Sequence, residues 1–285
     1  MKEKLFYLGV GCQKGGTTWL HSQLSRSQFM REGFHKEYHV FDALYVKELS
    51  YFLTRKIEKI GQQINLGVLM QCQDDLLKLV EFCRNPQSYF EYFDLLWSHS
   101  DKTIAVCDFT PTYSALPVEG FRAIKEGLEN RGFSVKPIFI MRDPVERCWS
   151  MLRMRRENLQ QRNPAAALAQ EHEALARHYN GRQCELRTRY EWTISNLEQV
   201  FDPDDIYYGF YETLFEQETL RQLQTYLKLP DFSPDVEEKV HVSKKQHETL
   251  SDELVADISR FYRETYQFCA DRFSTEKLWA GYQYL

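Results

Sequence analysis

The chain has 285 residues, 43% hydrophobic and 27% charged, a balance that suits one ordinary folded domain and excludes a disordered or low-complexity chain. Its net charge of −5 supplies no global positive field, so nucleic acid is not an expected partner and any anion site has to be built locally.

Seven cysteines without a CxxC pair argue for a reducing compartment and against a disulfide framework or structural zinc, and each thiol is expected to be a small buried side chain. The eight histidines form no HExxH motif, so no metal is expected. No integral membrane segment, cleavable signal or lipidation motif can be read, and the expected location is cytoplasmic.

Residues 5–10 form a short apolar run bounded by glycine, the pattern of a buried parallel strand, and residues 17–28 carry Leu20 and Leu24 at helical spacing. Further strands are expected at 103–107, 136–141 and 206–210, each followed by a helical pattern at 118–130, 145–156 and 216–227. Mainly helical stretches fill 45–63, 74–97, 164–178 and 187–199, and a last long helix spans 251–272. Strands alternating with helices predict a single α/β domain over 1–285, built on a central parallel sheet flanked by helices.

The loop after the first strand reads GCQKGGTTWL. Gly15 and Gly16 permit close backbone approach, Thr17 and Thr18 add hydroxyls at a helix start, and Lys14 adds charge: together, a cradle for an oxyanion. A nucleoside-triphosphate loop would read GxxxxGK[ST]. Gly11 and Gly16 have that spacing, but Thr17 stands where the lysine belongs and Lys14 precedes the glycines.

The arrangement QKGGTTWL resembles the 5′-phosphosulfate loop of the sulfotransferases that use 3′-phosphoadenylyl sulfate (PAPS), a family with a P-loop-like three-layer fold. In that family a strand, RDPxxRxxS, helix segment grips the ribose 3′-phosphate, and KPIFIMRDPVERCWS is similar to it, which assigns the grip to Arg142 and Ser150. An arginine fork with a hydroxyl further along the helix suits a phosphate dianion. Asp143 and Pro144 also read simply as N-cap and first residue of a helix, and Arg147 as a structural ion pair. The stretch YYGFYETLFEQETLRQLQTYLKLP resembles the family's strand and helix before its C-terminal region. HVSKKQHETLSDEL resembles a loop that closes over the cofactor, with Ser243, Lys244 and Lys245 facing the phosphates.

On the acceptor side, HKEYHVFD resembles the KExHFFD segment of the heparan-sulfate (glycosaminoglycan) branch, which makes Glu37 the general base, with Lys36, His39 and Asp42 orienting base or acceptor. His39 is the rival base. Alternation along an extended segment would put Glu37, His39 and Phe41 on one side and Lys36, Tyr38 and Val40 on the other. Where that branch has EKTPAY, this chain has DFTPTY: Asp108 replaces the acid in contact with substrate, and Phe109 replaces the lysine, which argues against a highly anionic polysaccharide.

The resemblance thus implies in-line sulfuryl transfer from PAPS to an acceptor alcohol (carbohydrate, lipid or small molecule), releasing adenosine 3′,5′-bisphosphate (PAP) and needing no metal. Two other readings stand beside it: a magnesium-dependent nucleotide kinase with a degenerate loop, and a non-catalytic module that binds PAPS or a glycan.

Overall fold

The computed structural model describes residues 3–65, 74–163, 171–238 and 249–285. Its centre is a five-stranded, wholly parallel sheet in the order β2-β3-β1-β4-β5. The strands are β1 (Leu5–Gly11), β2 (Met30–Arg31), β3 (Ala105–Phe109), β4 (Ser134–Met141) and β5 (Tyr207–Phe210). Four were expected within two residues of these bounds. The fifth, β2, is a two-residue edge strand, too short to leave a periodic pattern.

The sheet is the middle layer of three, as the alternation along β1 makes plain. Leu5 and Tyr7 pack with Trp19, Leu20, Leu24, Leu223 and Leu227 on one face, from helices Thr17–Leu24 and Gln217–Leu227. Phe6, Leu8 and Val10 face the larger core, with Phe93, Phe121, Cys148 and Ile194 from the helices on the other side. Both faces are covered, so β1 is apolar throughout rather than alternating with polar residues.

Several long helical runs are broken. Residues 74–97 divide into Asp74–Arg84 and Pro86–Ser98, where Pro86 begins the second helix, and 251–272 divides at Tyr262 into Asp252–Phe261 and Arg263–Phe273. The first helix stops at Leu24, four residues short of the expected end.

The described cysteines 12, 83, 107, 148, 184 and 269 are free and buried. Among the described residues no helix is long and apolar enough to cross a membrane, and no group of His, Cys, Asp and Glu is arranged to hold a metal ion.

Because every strand is parallel, the carboxyl ends of β1, β3 and β4 open on one edge. The chain leaves β1 for β3 on one side and later adds β4 on the other, so the crevice at the end of β1 is the topological switch point, where such sheets bind ligands.

Candidate active site

The loop from β1 to the first helix is stapled to the end of β4. Cys12 N donates to Ile140 O at 2.6 Å, and Arg142 Nη1 donates to Lys14 O at 3.3 Å. The Tyr190 hydroxyl donates to Arg142 O at 2.7 Å and approaches Cys12 Sγ at 3.5 Å. This crowding explains the two glycines. A Cβ on Gly15 would lie 2.4 Å from Ile140 O, and Gly16 has φ +92°, in the left-handed region, with Leu214 Cδ2 2.6 Å from where a Cβ would sit.

Gly16 gives the first helix no side-chain cap, so the N–H groups of its opening turn remain available to an anion. Thr17 is buried there and Thr18 half-buried. Burial and the neighbouring Arg142 lower the Lys14 ammonium pKa, with Arg153 adding to the effect and Glu157 opposing it.

The Arg142 guanidinium lies over the Tyr211 ring, with Cζ 4.3 Å from its centroid, Nη2 3.0 Å from Glu146 Oε2 and a buried Nε that has no hydrogen-bond partner among the described residues. Asp143 is the helix N-cap, as expected. Its carboxylate accepts from Val145 N (2.8 Å), Glu146 N (3.3 Å), the Tyr266 hydroxyl (2.9 Å) and Gly281 N (2.9 Å), while its own N–H donates to Glu212 Oε1 at 2.9 Å. The segment after β5 therefore braces this corner through Tyr211 and Glu212. Ser150, buried, lies two helical turns beyond the cap.

Arg147 is not paired with a carboxylate among the described residues. It is wholly buried, and its Nη2 points to the sulfurs of Cys148 (3.2 Å) and Cys184 (2.7 Å). The expected ion pair is thus a contact with thiols. Its partner lies 37 residues away on another helix, which local spacing could not disclose.

Across the crevice, Glu37, His39 and Asp42 meet as a line of charges. His39 Nδ1 is 2.7 Å from Asp42 Oδ2, and Nε2 is 3.4 Å from Glu37 Oε2. Lys36 Nζ donates to Glu37 Oε1 at 2.7 Å. Thr112 donates to Asp42, and the Phe52 ring stacks on the imidazole at 3.8 Å.

For Glu37, burial acts to raise the pKa, but His39 and Lys36 overcome it and hold the carboxyl down to about 2. For His39, burial acts to lower the pKa, and the hydrogen bonds to Asp42 and Glu37 overcome it, pushing it up to about 9. The contact thus favours the carboxylate of Glu37 and the imidazolium of His39, and Glu37 is the most exposed member of the cluster at 39%.

Two expectations need correction. The segment is not extended: His39 takes a left-handed φ of +51° and a helix (Phe41–Tyr45) begins two residues later, so Lys36 swings to the Glu37 side while Tyr38, Val40 and Phe41 are buried together. Asp108 does not face an acceptor. It is fully buried, accepting hydroxyls from Thr110 (2.6 Å), Tyr89 (3.0 Å) and Tyr113 (3.0 Å), and burial raises its pKa to about 6 against those three donors. Thr110 in turn accepts from Tyr38 N at 2.9 Å, so Asp108 supports the acceptor loop from beneath.

Ser243, Lys244 and Lys245 lie outside the described residues. Phe52 and Tyr190, which no motif announces, complete the site together with Thr110 and Thr112, which lie within the DFTPTY segment although no role was read for them.

No protein-family model and no curated protein matches the chain. Solved structures do. A sulfotransferase from Alicyclobacillus acidocaldarius aligns over 95% of this chain and 96% of its own, with 15% identity and a TM-score of 0.58. The sulfotransferase domain of the curacin biosynthetic pathway aligns over 96% and 98%, with 15% identity and a TM-score of 0.45. That of the Synechococcus PCC 7002 olefin synthase aligns over 95% and 96%, with 14% identity and a TM-score of 0.45. With its five-stranded parallel sheet and glycine-rich loop at the switch point, the chain has the α/β, P-loop-like fold of the sulfotransferases.

Proposed function

We propose that the protein is a PAPS-dependent sulfotransferase that moves the sulfuryl group to an acceptor hydroxyl. The observation that carries this reading is the convergence of Lys14 and Arg142 at the ends of β1 and β4, joined by the 3.3 Å contact of Arg142 with Lys14 O, while the Glu37–His39–Asp42 line is tied to the end of the neighbouring β3 by the 2.9 Å hydrogen bond from Phe109 N to Lys36 O. The first helix links the two halves: its His21 packs on Phe109 and feels the charges of Lys36 and Glu37.

The residues fit the donor. The uncapped helix start and the glycine cradle suit the 5′-phosphosulfate, and the buried, unpartnered Nε of Arg142, with Ser150 beyond it, suits the 3′-phosphate. PAPS supplies the sulfuryl group. Lys14, with Thr17 and Thr18, offsets charge at the 5′-phosphate as the bond to it breaks. Glu37 takes the proton of the acceptor hydroxyl, and Lys36 and His39 hold its two oxygens in place.

A carboxylate with a pKa near 2 is a weak base. That suffices when the proton leaves late, after partial bonding to sulfur has made the hydroxyl strongly acidic, and positioning rather than basicity then carries the acceleration. The kinase alternative has no lysine at position 17, where its chemistry would need one.

The test is transfer of label from PAPS carrying radioactive sulfur to an extract of the native source, with mass analysis of the labelled product. Glu37→Gln is expected to abolish labelling while PAP still binds. Labelling at the wild-type rate in Glu37→Gln removes Glu37 as base, and PAP binding by the wild type without any transfer favours a binding module.

A further inference from the structure

His39 holds a backbone conformation that histidine adopts infrequently, and nothing in its own segment accounts for it. Thr110 holds the N–H side of the turn, accepting from Tyr38 N at 2.9 Å with His39 N at 3.5 Å, and the carbonyl side is held from the helix Tyr51–Asn65. Lys56 Nζ donates to Tyr38 O at 2.8 Å and to His39 O at 3.1 Å, so one ammonium gathers the two successive carbonyls that flank the left-handed residue. Cys83 Sγ approaches His39 O at 3.8 Å. One turn before Lys56 on that helix, Phe52 stacks on the imidazole with an interplanar angle of 17°. Positions 52 and 56 share a helix face, so a single face grips both the backbone and the ring of His39.

We propose that Lys56 is a positioning residue, which by pinning the carbonyls of Tyr38 and His39 locks His39 in the left-handed turn that aims its imidazole between Asp42 and Glu37. The inference rests on the sulfotransferase reading for its catalytic meaning, but its geometry does not. Without the ammonium, two inward-facing carbonyls lose their donor and the turn relaxes toward extended backbone. The imidazole then leaves Asp42 Oδ2, and Glu37 loses the partner that holds one of its oxygens.

Direct electrostatics and positioning predict opposite signs, which makes the proposal testable. The charged and titratable groups around His39 are Glu37 and Lys36 on its own loop, Asp42 on the next helix, His35, Cys83, Asp108 and Lys56 itself. Deleting a nearby positive charge that only repels His39 would raise the imidazole pKa. Losing the contacts with Asp42 and Glu37 would lower it from about 9 toward the ordinary 6.5.

The experiment is an NMR titration of the His39 imidazole in the full chain, assigned by its disappearance in His39→Gln, for wild type, Lys56→Met and Lys56→Arg. Methionine keeps the apolar stem, and arginine keeps two donors for the two carbonyls. The expected result is a downward shift of about one pH unit or more in Lys56→Met and a return most of the way in Lys56→Arg. An unchanged or raised value in Lys56→Met overturns the proposal, as does failure of Lys56→Arg to restore it when its melting temperature matches wild type.

Calorimetric titration with PAP is run on the same samples. PAP affinity is expected to stay within about twofold in Lys56→Met, because Lys56 is bonded to the Tyr38 and His39 carbonyls of the acceptor loop. If wild type does not bind PAP, the sulfotransferase reading falls while the titration still decides the role of Lys56.

Discussion

Replacing Arg142 with alanine separates a 3′-phosphate site from a generic anion loop, and the structure sets the size of the effect. The guanidinium makes three contacts: Nη1 on Lys14 O, Nη2 on Glu146, and Cζ over the Tyr211 ring. Its buried Nε is the donor left over. On binding a 3′-phosphate, Nη2 exchanges one anion for another, so the net gain is the single new bond from Nε. A hydrogen bond to a charged group contributes about 1.5–3 kcal/mol, which corresponds to a loss of roughly 10- to 150-fold in PAP affinity for Arg142→Ala. Adenosine 5′-monophosphate, which lacks the 3′-phosphate, should lose less than about threefold by the same arithmetic. Calorimetric titration of both nucleotides against wild type and variant measures the two losses side by side. Arg142→Lys, which keeps the charge but not the fork, should fall between wild type and alanine for PAP. Equal losses for the two nucleotides would refute the assignment and leave Arg142 as a brace for the Lys14 loop alone.

Three further outcomes are expected. With Glu37 as base and His39 needed in its charged form, kcat/KM should be flat from about pH 5 to 8 and fall as His39 deprotonates near 9; a limb that rises through 9 hands the base role to His39. The same imidazole links stability to pH. Its folded pKa lies above the unfolded 6.5, so its contribution is complete below about 6.5 and is lost as pH rises through about 9, amounting to at most about 3 kcal/mol. Urea melts at pH 6 and 10 should show that difference in wild type and much less of it in Asp42→Asn. Finally, Gly15→Ala should cost about 1–3 kcal/mol in a urea melt and weaken PAP binding, since its methyl group meets the Ile140 carbonyl at 2.4 Å; an unchanged stability would show that the loop is looser than it looks.

The donor half of the site was legible because its determinants are local. A buried parallel strand is an apolar run, the glycines mark a turn into a helix, and Asp143-Pro144 spells a helix start regardless of what surrounds it. The acceptor half was legible in its residues but not in its shape. Alternation suggested an extended segment, whereas the backbone is bent at His39 by a lysine 17 residues later and by hydrogen bonds from Tyr38 N and His39 N to Thr110, more than 70 residues away. Asp108 was misplaced for a related reason: the carboxylate could be read, but the three hydroxyls that take it out of the cleft come from elements no local pattern connects.

The two halves are also charged on different principles, and this bears on the acceptor. In the donor half Lys14 and Arg142 lie together beside an uncapped helix start, with Glu146 paired to Arg142 and Glu157 acting on Lys14. On the proposed reading, such a corner suits the phosphates of a nucleotide. In the acceptor half Lys36, Glu37, His39 and Asp42 alternate in sign and pair within 3.4 Å of one another, so their charges cancel. The cation nearest the loop from behind, Lys56, is committed to two carbonyls. A polyanionic chain laid across the acceptor half would find no uncommitted cation among these residues and would meet the exposed carboxylate of Glu37 first. An uncharged alcohol needs only what is there: a carboxylate oxygen to accept its proton and a donor corner that holds the leaving charge. Under the proposed reading, the distribution of charge therefore favours a neutral acceptor hydroxyl over a polyanionic one.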